Sequence, residues 1–162
     1  MSTGFRPTLN KSISHVTAVP VANLGDRVLA GGNEYCYCYV KTGVTALVGY
    51  AVALSSATGY TVTMSGPVSD GTLDPFGVTQ HVDIPAGEYG WILTRGYAKA
   101  SAGLNTGIAL NDYLYMVQTS NTGNLGRISD LTTWSNVANA PVPLGQCVQA
   151  AATGVAGTVY IK

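Results

Sequence analysis

The chain reads as a single all-β domain, a β-sandwich or barrel preceded by an extended arm. Three observations predict it. Short runs rich in Val, Tyr, Thr and Ile recur along residues 24–162. The breaks between them carry Gly, Pro, Asn and Asp in turn-forming combinations. No window sustains a helical period with caps at both ends. Many short strands at near-regular spacing point to a sandwich or barrel.

Residues 1–23 differ from the rest. Single apolar residues, Phe5, Leu9, Ile13, Val16 and Val19, stand among Ser, Thr and Asn, with Pro7 and Pro20 nearby. Their spacing of three and four is compatible with a helix, yet good helix formers are nearly absent and Ser/Thr side chains compete for the backbone. The segment therefore reads as an extended arm with hydrophobic pegs, and Phe5, Leu9, Ile13 and Val16 are the expected contacts to a neighbouring subunit. Contacts to the chain's own domain would also hold it.

From Leu24 onward the expected strands are Arg27–Ala30, Asn33–Val40, Leu47–Leu54, Tyr60–Met64, Phe76–Val82, Gly87–Lys99, Tyr113–Thr119, Leu144–Ala151 and Thr158–Ile161. Gly31-Gly32, Ser65-Gly66-Pro67, Ser69-Asp70-Gly71, Pro85-Ala86-Gly87, Asn121-Thr122-Gly123-Asn124 and Thr153-Gly154 supply turns. Gly87, Gly90 and Gly96 lie in or beside one long strand and predict a bend or bulge there. The best helical candidate is one turn near Asp130–Trp134, with Asp130 as its N-cap. In Tyr35-Cys36-Tyr37-Cys38-Tyr39 the alternation of a strand places tyrosines on one face and cysteines on the other. The tyrosine face is expected to pack within the domain.

Composition narrows the function. Charged residues make up 10% of 162, against roughly 25% in an ordinary soluble domain, and eight bases balance eight acids. So few charges leave a lone molecule colloidally fragile, which predicts surface hidden against other chains. Arg6, Lys11, Arg27, Lys41, Arg95, Lys99, Arg127 and Lys162 form no run in sequence, so direct nucleic-acid binding is not expected. The start lacks the basic and apolar regions of a signal peptide, and the apolar stretch around Ala46–Leu54 is too short to span a bilayer, so synthesis in a cytosol with no membrane partner is expected.

Chemistry has little to stand on. Cys36, Cys38 and Cys147 are odd in number and lack a zinc spacing, so buried free thiols are expected and no metal or cofactor is. Ser14-His15 and His81-Val82-Asp83 are the places where a hydrolase could begin, His81 and Asp83 sharing a face if they lie on a strand. No nucleophile elbow accompanies them. The eight carboxylates are isolated, with no calcium loop, and Gly123-Asn124-Leu125-Gly126-Arg127 lacks the ending of a phosphate-binding loop. No enzyme is expected.

The second half also carries a familiar spacing. Pro85-Ala86-Gly87-Glu88-Tyr89-Gly90-Trp91-Ile92-Leu93-Thr94-Arg95-Gly96-Tyr97-Ala98 is followed by Gly107-Ile108-Ala109-Leu110-Asn111-Asp112-Tyr113-Leu114-Tyr115-Met116. Leu144-Gly145-Gln146-Cys147-Val148-Gln149-Ala150-Ala151-Ala152 then leads into Val159-Tyr160-Ile161. This resembles the head decoration (capsid cement) proteins of tailed bacteriophages, loosely over residues 24–162 and best over 85–162, and Leu24-Gly25-Asp26-Arg27-Val28 looks like the opening of that module. The stretch Leu131–Ala140 and the arm of residues 1–23 depart from the pattern. The resemblance implies a β-rich fold of the β-tulip type, no enzyme, no cofactor, and a homotrimer bound to the major capsid protein on the outer surface of the virion. The alternative is a carbohydrate- or receptor-binding β-module on a virion surface, with Trp91 or Trp134 as candidate contacts.

Overall fold

The structure, a computed structural model, describes residues 12–55, 59–64, 75–102, 107–116, 128–129 and 143–162. Among these residues ten strands follow in order: β1 (Arg27–Ala30), β2 (Asn33–Val40), β3 (Ala51–Leu54), β4 (Thr61–Thr63), β5 (Pro75–Thr79), β6 (Tyr89–Ser101), β7 (Tyr113–Met116), β8 (Ile128–Ser129), β9 (Gly145–Gln149) and β10 (Ala156–Ile161). Among the described residues there is no helix. The all-β expectation is met.

Five of the first six strands close on themselves. β2 pairs with β4, β4 with β3, β3 with β5, β5 with β6, and β6 returns to β2, which makes a five-stranded barrel. All these pairs are antiparallel except β2–β4. Closure removes the open edges that a flat sheet of apolar strands would offer to other chains. β1 adds to β2 as a hairpin. Its two-residue turn is Gly31-Gly32 with φ of 59° and 82°, the mirror-image turn whose twist suits a hairpin and which glycine reaches without strain.

β6 runs past the barrel. Its first part, Tyr89–Arg95, pairs with β2, and its last part, Gly96–Ser101, pairs with β10. β10 pairs with β9, β9 with β7, and β7 with β8, forming an outer sheet. Between the two parts the β2–β6 register slips by one residue, so that Glu34 faces Arg95 and Tyr35 faces Leu93. Gly96 follows at φ 116°, where the Asn33 amide accepts from the Tyr97 N–H at 2.9 Å and donates to its carbonyl at 3.2 Å. The predicted bend in the glycine-bearing strand is this bulge.

The core explains the strands. Val40, Val52, Val62, Val78, Ile92 and Leu93 are fully buried in the barrel, while Ala98, Ala100, Val159, Ile161, Cys147 and Leu114 are buried beneath the outer sheet. In β6 burial alternates from Arg95 to Lys99, with Arg95, Tyr97 and Lys99 outward and Gly96 and Ala98 inward. Small residues inward and long polar ones outward are the period of two of a half-buried strand. β2 does not alternate: Tyr35, Cys36, Tyr37 and Cys38 are all buried. The tyrosine side is covered because the chain's own N-terminal residues and His81 lie against it.

Candidate interaction surfaces

Residues 12–26 are fastened to the barrel. Thr17 exchanges two backbone hydrogen bonds with Tyr89, at 3.1 and 2.9 Å. The Val21 N–H donates to the Tyr37 hydroxyl at 3.2 Å, and Tyr37 also shares backbone bonds with Gly25 and Asp26. Ile13, Val16, Val21 and Ala22 pack partly buried against the core. Two of the four expected subunit contacts, Ile13 and Val16, therefore spend apolar surface on their own domain. Phe5 and Leu9 lie outside the described residues, as do Trp134 and the helical turn expected near Asp130.

The outer sheet carries one exposed face. The register aligns Tyr97 of β6 with Tyr160 of β10, Tyr160 with Gln146 of β9, and Gln146 with Tyr113 of β7. Tyr97 and Tyr113 are 61% and 52% exposed, large values for aromatic rings on a sheet. The Tyr97 and Tyr160 rings meet edge to face at 5.2 Å and 65°. The Lys162 ammonium stands 5.3 Å from the centre of the Tyr113 ring. A second row lies beside the first: Lys99 donates to the Thr158 hydroxyl at 2.8 Å and to Gln149 at 3.4 Å, and Thr158 donates to Gln149 at 2.7 Å. Sequence reasoning missed this face. The signal was the alternation of Arg95, Tyr97 and Lys99 with Gly96, Ala98 and Ala100, but the partners across the sheet come from distant segments.

The groups that could have begun a reaction are engaged elsewhere. His81 and Asp83 follow the end of β5 rather than sharing a strand. The His81 Nε2 lies 2.9 Å from the Tyr35 hydroxyl, and Asp83 accepts the Val48 N–H at 2.7 Å, closing the loop before β3. The Ser14 hydroxyl pairs with that of Ser12. Among the described residues no three His, Cys, Asp or Glu side chains converge as a metal site would require, and no helix is long and apolar enough to cross a membrane.

Cys36, Cys38 and Cys147 are free and wholly buried, as expected for cysteines acting as small hydrophobes. The hydrogen bond between the two neighbours lowers the Cys36 thiol and, with burial, raises Cys38 well above its ordinary range. Burial raises Cys147. A thiol whose folded value lies above its unfolded one stabilises the fold below the ordinary value of 9.0 and loses that contribution as pH rises past it. At pH 8 the native chain is expected to leave all three thiols unreacted with an aromatic disulfide reagent, while the denatured chain titrates three. A rapid one-thiol reaction of the native chain would show that the Cys36 site opens to solvent.

No protein-family model and no curated protein sequence matches the chain. Among solved structures, the chain is similar to the N base of the head fiber gp8.5 of bacteriophage phi29, with a TM-score of 0.51 and 16% identity. The likeness covers 79% of this chain and 92% of that one. At that identity what the two chains share is the fold: a barrel-like all-β domain of the kind found at the base of a phage head fiber.

Proposed function

We propose that the chain is a structural protein of a bacteriophage head, bound to the outside of the assembled capsid as a decoration or cement protein. The observation that carries this reading is the likeness in fold to the phi29 head-fiber base, which extends over most of both chains. The resemblance of residues 85–162 to decoration proteins and the charged content of 10% support it. Leu29, Val19 and Leu110, each at least 60% exposed, add apolar surface for contact with other chains.

In this reading the partner is the major capsid protein and the chain acts as a homotrimer, a closed arrangement that limits the contacts a sticky surface makes. A protein that binds only the assembled shell stabilises it by mass action. Because Ile13 and Val16 are occupied by their own barrel, Phe5 and Leu9 are the arm residues left to strap a capsid subunit.

The test is sedimentation with heads that lack the protein. The full chain is expected to pellet with them and to raise the temperature at which they release DNA. Deleting residues 2–10 removes Phe5 and Leu9 but spares the segment fastened to the barrel. It is expected to abolish co-sedimentation while leaving the thermal midpoint of the free chain unchanged. A full chain that stays in the supernatant at every concentration sinks the reading; a truncated chain that still coats heads to full occupancy removes the strap.

A further inference from the structure

We propose that the exposed face of the outer sheet is a binding platform for an anionic polysaccharide. The face presents its chemistry in rows across neighbouring strands. From Tyr97 through Tyr160 and Gln146 to Tyr113 the row crosses three strand spacings, about 14 Å, long enough to lie under several sugar rings. Tyrosine rings offer flat apolar area to the C–H faces of sugars, and their hydroxyls remain free to hydrogen-bond. Gln146, Gln149 and Thr158 supply the amide and hydroxyl groups that sugar hydroxyls need.

Charge selects the anionic class. Lys99 projects from the same side of β6 as Tyr97, and Lys162 stands over Tyr113. Of the five described acids, Glu34 pairs with Arg27 and faces Arg95, Glu88 precedes β6 at its barrel end, Asp83 and Asp26 accept backbone N–H groups beside the barrel, and Asp112 accepts from Ala109 at 2.7 Å in the turn before β7. A chain of zero net charge thus sets Lys99 and Lys162 beside its most exposed tyrosines.

Other occupants fit less well. The core of a protein–protein contact is depleted in lysine and built on apolar anchors, whereas the exposed aliphatic residue on β9 is Val148, at 39%. A second copy of the same face would set like cations against each other. Single-stranded nucleic acid favours rings onto which successive bases stack, and Tyr97 and Tyr160 meet edge to face.

The experiment is calorimetric titration of the full chain with polygalacturonate, with dextran as the uncharged polymer and oligo(dT) as a polyanion whose charge lies on phosphates and whose stacking rings are bases. Polygalacturonate is expected to bind, dextran at least about tenfold more weakly. Tyr97→Ala and Tyr113→Ala are each expected to weaken polygalacturonate about tenfold, and Lys99→Gln to flatten its salt dependence. Both tyrosines are more than half exposed, so the thermal midpoints should hold; if one variant unfolds, the other two still decide. Failure of polygalacturonate to bind, tighter binding of oligo(dT), or affinity unmoved by all three variants overturns the proposal. Loss of co-sedimentation with heads in Tyr97→Ala would assign the face to the capsid, ending this inference while leaving the proposed function standing.

Discussion

Replacing Gly77 with alanine is expected to destabilise the barrel by about 3 kcal/mol or more, enough to unfold a marginal domain. Gly77 lies in β5 opposite Val52 of β3, and its Cα is pressed against β6. A Cβ there would fall well inside 3.0 Å of the Leu93 carbonyl oxygen and also meet Ile92. The obstacle is backbone, which has no rotamer to yield, so β5 must move away from β6 and the ring opens at that seam. Gly43 is the control. It adopts φ 91° with open space around its Cα, so alanine there meets backbone strain alone, about 1–2 kcal/mol. Urea unfolding followed by tryptophan fluorescence separates the two. A midpoint for Gly77→Ala as high as that for Gly43→Ala would mean that the seam is looser than the structure has it.

Leu93→Ala is expected to cost about 2–5 kcal/mol. Leu93 is fully buried and faces Tyr35 of β2 on one side and Val78 of β5 on the other, so it sits where the barrel closes. Alanine forfeits the transfer of the lost methyl groups from water. It also leaves a cavity that hydrogen-bonded strands on both flanks cannot collapse to fill. By contrast Leu29 on β1 is 66% exposed, and Leu29→Ala is expected to fall within about 0.5 kcal/mol of the parent. Equal losses at the two positions in urea unfolding would refute the assignment of Leu93 to the closure.

The hairpin of β1 and β2 was legible to the residue, because Gly31-Gly32 dictates a turn and the flanks are dense in strand formers. Elsewhere the strands were found but their ends moved. The run expected from Leu47 begins at Ala51, since Gly49 at φ 79° and the Tyr50-to-Leu47 hydrogen bond fold residues 47–50 into a turn. β8 has two residues and leaves no pattern to read. In β2 the tyrosine and cysteine faces are both covered, as expected, but the alternation does not predict what covers the tyrosines. That depends on residues 12–22 folding back, which is a tertiary choice. The tyrosine row was illegible for a related reason. Its members are brought together by β10 inserting between β6 and β9, and no local propensity encodes that order.

β6 belongs to both sheets without a break. A pull on the outer sheet is therefore carried into the barrel along a covalent backbone, not across a seam that could peel. The bulge at Gly96, gripped by the Asn33 amide, marks where that tension changes direction. In the role proposed above, such continuity means that whatever seizes the outer sheet also loads the barrel, and the two yield together or not at all.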